Sequence, residues 1–211
     1  MHPVIENWSI VVAGVWNTAI FSPPWMGGKL KELFGYTHVS LEFMTDQRGT
    51  QVNFSTDHFI VNPQPSALIV AMKQIDDKSL LWAEQLVEDL LRTLPHTPVS
   101  AFGLNFAFTD EALNSELISL FRLSDADRLA ENNYRTTSLS IQRSLQLDDA
   151  KLNAMLTMTE DDSLSVRLNF HHDVANAEEA WTRLTGRTLL YKADGLNFLQ
   201  NVYGLRVKGT L

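Results

Sequence analysis

The densest cluster of reactive side chains in this chain is the run His171-His172-Asp173. A histidine oriented by an aspartate is a general base, and two histidines with a carboxylate can hold a metal ion. Neighbouring residues on a strand point to opposite faces of a sheet, which opposes convergence of His171 and His172 on one ion. We therefore predict no metal site and no cofactor. A hydrolase-like enzyme built around these three residues remains an alternative function.

Other catalytic signatures are missing from the sequence. It contains no Gly-x-Ser-x-Gly elbow, no Walker loop, no Gly-x-Gly-x-x-Gly and no His-Glu-x-x-His. The aspartate pairs at 76–77, 148–149 and 161–162 fall in predicted helix caps and turns, where carboxylates are solvated. There is no cysteine, which excludes disulfides, thiolate metal sites and a cysteine nucleophile. These absences favour a protein that is not an enzyme.

Charge and hydropathy exclude further classes. The 211 residues include 17 Lys and Arg against 25 Asp and Glu, a formal net charge of -8, and the basic residues are scattered. A nucleic-acid partner is not expected, because such proteins carry a basic patch that displaces counterions. No apolar run approaches the roughly 20 residues that cross a bilayer, so no membrane partner is expected. The N-terminus lacks a basic leader region, and a cytoplasmic location is predicted.

Hydrophobic periodicity predicts an α+β protein. Three strands near the C-terminal half alternate apolar and polar residues almost without fault, and the side chains predicted to face inward are Leu139, Ile141, Leu145, Leu147, Leu152, Ala154, Leu156, Met158, Leu164, Val166, Leu168 and Phe170. A long helix capped by Asp76 or Asp77 is predicted, with an apolar stripe and with Glu84 on the opposite, solvent side. Shorter helices are expected at residues 29–34, at 110–121 and from Ser124, and a strand is expected at residues 188–192.

Two stretches of the chain match each other in the order of their motifs. The matching segments are residues 14–17, 30–34 and 53–57 in the first stretch, and 103–105, 117–121 and 169–173 in the second. The match predicts a tandem pseudo-repeat of β-α-β-β-(β)-β-α units, with residues 1–95 and 96–211 as the two repeats and helical insertions in the second. This element order resembles one repeat of the TATA-binding-protein-like fold, which implies a curved antiparallel sheet with helices on one face.

The face of this sheet away from the helices is predicted to be polar and largely uncharged. Ser, Thr, Asn and Gln offer donors and acceptors at a small desolvation cost, so this face is either a solvated surface or a docking surface. A DNA-binding saddle would need more Lys and Arg and intercalating Phe, and is rejected. The predicted binding residues are Gln142, Ser144, Asn153, Arg167 and Asn169 on the strands and Trp25 in a Pro-rich loop.

The sequence therefore favours a non-enzymatic interaction or assembly protein that binds a protein partner or self-associates as a homo-oligomer. An alternative is a small-molecule binding protein with a pocket between the sheet and the helices, lined by aromatic side chains. Arg143 falls in register with apolar residues of its strand. It is expected either to pair with an acidic residue of a covering helix or to lie at a sheet edge.

Overall fold

The computed structural model describes residues 1–46, 49–111 and 115–208. Those residues form an α+β protein with ten strands in one antiparallel sheet and six α-helices. The strands are β1 (His2–Pro3), β2 (Ser9–Gly14), β3 (Ser40–Asp46), β4 (Gly49–Ser55), β5 (Phe59–Gln64), β6 (Ala67–Met72), β7 (Val99–Asp110), β8 (Ser138–Gln146), β9 (Lys151–Thr159) and β10 (Leu164–Asp173). The helices are α1 (Pro23–Phe34), α2 (Asp77–Thr93), α3 (Ser115–Leu120), α4 (Ala126–Glu131), α5 (Ala177–Leu184) and α6 (Arg187–Tyr203).

One continuous sheet runs through both halves of the chain. Its strand order is β3-β4-β5-β6-β2-β7-β10-β9-β8, and β1 pairs with β7 beside this path. The central pair is β2 with β7, in which Ile10 lies opposite Leu104. In the first half β2 also pairs with β6, and in the second half β7 also pairs with β10. The two halves therefore join through backbone hydrogen bonds, not through a linker.

Alternation along the strands gives the sheet two different faces. On one face Ile10, Leu104 and Phe170 lie in a single cross-strand row and are buried. Helices α2, α5 and α6 contact the central strands, and Gly195 of α6 lies against Leu168 on this side. We call this the helix face and the opposite side the open face. The alternation predicted for β8, β9 and β10 is confirmed, because the residues of these strands that were predicted to face inward lie on the helix face.

Helix α2 follows the predicted pattern except at Glu84. The Asp76 side chain caps it by accepting from the Ser79 backbone N–H at 3.0 Å, and the apolar stripe is buried. Glu84 was predicted to lie on the solvent side, and this prediction is wrong, because the Glu84 side chain is buried and only 6% exposed. Its carboxylate accepts hydrogen bonds from the backbone N–H groups of Gly186 and Thr188, both at 2.8 Å, and so occupies the N-terminus of α6.

Three further element predictions are corrected. Residues 188–192 belong to helix α6 and not to a strand. Helix α1 begins at Pro23, several residues before the predicted start, because proline fits the first helical positions, where its missing N–H is not needed. Asp110 ends β7 and does not cap a helix; α3 is described from residue 115, and residues 112–114 of the predicted helix lie outside the described residues.

The residues that suggested a repeat occupy non-equivalent strands. The first Asn-Phe-x-x-Asp segment ends β4, which lies between β3 and β5, and the second ends β10, which lies between β7 and β9. Within the first half, the strand that pairs with the opening strand is β6, not β4. Phe54 and Phe170 are nevertheless both fully buried. The residue match therefore reflects a shared local pattern of burial.

Candidate functional site on the open face

A row of hydrogen-bonded polar side chains crosses five strands of the open face, from β8 to β2. The Ser144 hydroxyl donates to the side-chain oxygen Oδ1 of Asn153 at 2.7 Å. The side-chain Nδ2 of Asn153 donates to Oδ1 of Asn169 at 3.2 Å. The Asn169 amide then donates to Asn105 at 2.9 Å, and the Asn105 amide donates to the Ser9 hydroxyl at 3.1 Å. We call these five residues the amide row.

Strand register and one glycine make this row possible. The pairings Asn153 with Asn169 and Asn169 with Asn105 bring the three amides directly opposite one another. The Asn169 side chain leans over Gly103, where an added Cβ would lie only 2.5 Å from Asn169 Nδ2. Any larger residue at 103 would displace the amide, so glycine is needed there for close approach. Side chains linked in this way hold one another in fixed orientations.

The amide row separates two depressions in the open face. The larger has a volume of about 410 Å³, and its lining includes Gln142, Arg167, Ala107, Met155, Glu6 and Ala71. The smaller, about 190 Å³, lies on the other side of the row, and its lining includes Val11, Ala13, Ala101, Gly103 and His171. Small side chains on the central strands create both depressions, because alanine and glycine project less far from the sheet than the side chains on either side of them.

Arg167 is the cation of the larger depression. It lies opposite Ala107 on β7 and Met155 on β9, and Met155 in turn lies opposite Gln142 on β8. Its side chain is exposed, and among the described residues it makes no hydrogen bond and no ion pair. Glu6, an exposed residue of a short 3-10 helix, lines the same depression. The site thus carries a guanidinium whose five N–H donors have no internal acceptor.

Five of the six predicted binding residues share this face. Gln142, Asn153, Arg167 and Asn169 line the larger depression, and Ser144 ends the amide row. Trp25 does not join them; it lies in α1, partly buried, with its ring 5.5 Å from that of Phe21. Asn105 and Ser9 of the amide row were not among the predicted binding residues. The available signal was an amide inside the otherwise apolar run of β7, a position that demands a polar partner.

His171, His172 and Asp173 are divided between the two faces. His171 Nε2 lies 3.1 Å from Asp173 Oδ1 on the open face, and Lys151 Nζ lies 3.2 Å from the other carboxylate oxygen. The hydrogen bond from His171 and the bond and charge of Lys151 lower the pKa of Asp173. His172 points to the helix face and is 1% exposed. The three side chains therefore do not converge on one ion or one reacting atom.

His172 makes a polar contact inside the core. Its ring stacks on Phe102 with centroids 4.5 Å apart, and its Nε2 lies 2.7 Å from the Tyr191 hydroxyl. Tyr191 also lies 3.5 Å from Asp149 Oδ1. A neutral ring with its proton on Nε2 satisfies this geometry, because it donates to Tyr191, which donates to Asp149. Burial and the Asp149 charge raise the pKa of Tyr191 to about 12, so its hydroxyl stays protonated and can donate to Asp149.

The buried His172 predicts a loss of stability at mildly acid pH. Burial lowers the pKa of His172; Asp149 opposes this shift and Arg187 adds to it. Below about pH 6.5 the His172 side chain binds a proton in the unfolded chain more readily than in the folded protein. The free energy of unfolding is therefore highest above about pH 7 and declines as the pH falls. Urea unfolding across this range should show a smaller decline for His172→Phe, which keeps a ring against Phe102.

The exposed His96 provides the control for that measurement. His96→Gln should leave the pH dependence of the unfolding free energy as in the wild type. Equal slopes for the wild type and His172→Phe would contradict the assignment of the acid sensitivity to His172.

A serine, a histidine and an aspartate also meet at the start of α2, but they do not form a nucleophile. The Ser79 hydroxyl donates to Asp76 Oδ2 at 2.7 Å, and His58 Nδ1 lies 2.7 Å from the same hydroxyl. Because the hydroxyl proton is directed to Asp76, His58 acts as the donor and cannot accept that proton. Burial acts to raise the pKa of Asp76, but the Ser79 hydrogen bonds prevail and lower it. Ser79 is fully buried in the first turn of α2, where it is the donor to the capping residue Asp76.

Arg143 lies on the edge strand β8, one of the two positions expected from the sequence. Its partner is not acidic: the guanidinium donates to the Tyr203 hydroxyl at 2.7 Å, and its centre lies 5.8 Å from the ring. An inward-facing charge on an edge strand discourages pairing with another sheet.

No protein-family model matches the chain, and a search of curated proteins finds no match. Within residues 1–46, 49–111 and 115–208, no group of three or more His, Cys, Asp or Glu side chains is arranged to hold a metal ion. Within the same ranges, no helix combines the length and apolar character needed to cross a membrane.

Proposed function

We propose that this protein is a non-enzymatic interaction protein that docks a partner polypeptide on the open face of its sheet. The observation that carries the proposal is the amide row beside a depression that contains the unpaired Arg167. A polar surface that only needs hydration requires no such alignment of side chains. A row fixed by its own hydrogen bonds presents its remaining donors and acceptors in a set geometry, which reduces the entropy lost on binding.

The size of the face suits a protein partner. Five strands at a spacing of about 4.8 Å, which average about nine residues in length, offer roughly 700 Å². A standard protein interface buries about 800 Å² on each partner. An extended polypeptide also matches the chemistry, because its backbone supplies carbonyl acceptors and N–H donors to neutral amides such as Asn105 and Asn153. The small side chains along the centre of the face leave room for a segment of chain to lie in it.

A displayed library of random peptides, selected on the immobilised protein, tests the proposal. We expect selected peptides to bind the wild type and to lose most of their affinity for Ala71→Arg, which places a bulky charge in the larger depression. The matched control is Ala193→Arg. Ala193 is an exposed residue of α6, the helix that packs on the other side of the sheet. Circular dichroism and urea unfolding establish that both variants fold.

Light scattering of the purified protein tests the special case in which the partner is a second copy of the chain. A dimer at micromolar concentration that Ala71→Arg dissociates and Ala193→Arg preserves supports docking on the open face. The proposal is contradicted if the protein stays monomeric and if no selected peptide binds the Ala71→Arg variant more weakly than the wild type.

A small-molecule binding protein is the second candidate function. The larger depression, at about 410 Å³, falls within the roughly 300–1,000 Å³ of small-ligand sites. It lies on the open face, whereas the sequence suggested a pocket between the sheet and the helices. Micromolar binding of a small molecule in this depression, with no peptide bound there, would favour this candidate over the docking of a polypeptide.

We also propose that residues 1–95 and 96–211 descend from one duplicated unit with the strand order of a TATA-binding-protein-like repeat. The support is topological. After the two-residue β1, β2 is the first strand of its half, and β7 is the first strand of the other half; each pairs with the last strand of its own half, and the two pair with each other. Superposing β2, β6, β5 and β4 on β7, β10, β9 and β8 tests this proposal. Cores that fail to align in the same connectivity would contradict it.

A further inference from the structure

We propose that the larger depression of the open face receives a carboxylate of the partner polypeptide, with Arg167 as its receptor. This inference rests on the proposed function and names the chemical group that the face recognises. It starts from the depression and from a cation inside it that has no partner among the described residues.

The hydrogen-bonding capacity of the depression is weighted toward donors. Asn153 and Asn169 each donate one hydrogen bond and accept one within the row, so each keeps one N–H and one acceptor site, and the excess of donors comes from Arg167. Arg167 adds five N–H groups and no acceptor. It lies two residues from Asn169 on the same face of β10, which places the two side chains about 7 Å apart along the strand. An acceptor held between them satisfies both.

The surrounding charges favour a carboxylate over a phosphate. A phosphate dianion is best matched by two or more cations, yet Arg167 is the one cation among the described lining residues of the depression, and Lys151 of the same face is already paired with Asp173. Glu6 lines the depression and the chain carries a net charge of -8, so each additional negative charge on a ligand is opposed. A carboxylate carries one charge and presents two coplanar oxygens, which match the two parallel N–H groups of a guanidinium.

The floor of the depression suits the stem of an acidic side chain. Ile69, Ala71, Ala107 and Met155 line it with apolar atoms, and methylene groups that contact such a surface are removed from water. An aspartate or glutamate on an extended segment therefore places its stem against this floor and its carboxylate at Arg167. Backbone carbonyl and N–H groups of the same segment then lie along the amide row.

Paired peptides test the inference. Each selected peptide is compared with versions in which one acid at a time is replaced by its amide, Glu→Gln, Asp→Asn or the terminal acid by a carboxamide. We expect one such replacement to weaken binding to the wild type by about tenfold, the value of one charge-assisted hydrogen-bonded pair. In Arg167→Gln the same replacement should change the affinity less than about twofold. Arg183→Gln, which alters an arginine of α5 paired with Glu179, should retain the tenfold difference.

The outcomes separate this inference from the proposed function. Peptides that bind the open face with no dependence on any carboxylate leave the interaction function standing and overturn the carboxylate site. An acid-dependence that survives Arg167→Gln overturns the role of Arg167. A titration of the protein with acetate and with succinate, monitored by NMR, tests whether free acids bind at the same site. Small acids that bind as tightly as the peptides would assign the site to free acids and overturn recognition of a polypeptide.

Discussion

Replacing Glu84 with alanine is expected to lower the free energy of unfolding by about 3–4 kcal/mol. Its carboxylate accepts hydrogen bonds from the backbone N–H groups of Gly186 and Thr188 and from the Thr188 hydroxyl. Thr188 is 1% exposed, so water cannot replace the lost acceptor without opening the structure. Each buried donor left unsatisfied costs about 1–3 kcal/mol, and the negative charge at the N-terminus of α6 is lost as well.

Urea unfolding of variants at this contact separates the contributions. Glu84→Gln keeps an oxygen but turns an NH₂ group toward backbone donors, and should cost about 2 kcal/mol. Thr188→Val removes only the hydroxyl and should cost about 1 kcal/mol. Glu88→Ala is the matched control: this residue lies one turn along α2 and meets Arg92 at 3.6 Å in a surface pair. It should cost less than about 0.5 kcal/mol. Equal losses for the two alanine variants would show that Glu84 does not anchor α6.

The same contact shows why part of the fold could not be predicted from the sequence. Residues 188–192 form a short run with an apolar centre, Leu189-Leu190-Tyr191, and a run of this kind fits a strand as well as a buried helix segment. The helix begins there because Gly186 adopts a positive φ of 75° and Glu84, about a hundred residues earlier, occupies the helix terminus. Periodicity carries no information about a partner so distant in sequence.

The face assignments of the C-terminal strands were predictable, because a period of two residues determines which side chains are buried together. That rule also separated His171 from His172, as the structure shows. The alignment of Asn105, Asn153 and Asn169 into one row was not predictable. It depends on the register of three strands, which turn lengths and core packing determine, and on Gly103, which makes space for the Asn169 amide.

Replacing Gly14 with alanine is expected to lower the free energy of unfolding by about 2–4 kcal/mol. Gly14 ends β2 at an irregularity in its pairing with β7, where an added Cβ would lie 2.4 Å from the Pro98 carbonyl oxygen and 3.2 Å from Val99 Cα. Both contacts are with backbone, so no rotamer change relieves them. The neighbouring Val15 N–H donates to the same Pro98 carbonyl at 2.8 Å, and moving the strands apart breaks that bond.

The same substitution at Gly27 should change the free energy of unfolding in the opposite direction. Gly27 lies inside α1, and an added Cβ there meets no atom within 4 Å. Alanine favours the helix and restricts the unfolded chain, so Gly27→Ala should raise the free energy of unfolding by about 0.5–1 kcal/mol. Urea midpoints compared at a constant m-value measure both changes. If Gly14→Ala is tolerated as well as Gly27→Ala, the two halves of the sheet are not in close backbone contact at Pro98, and the central β2–β7 pairing must end before Gly14.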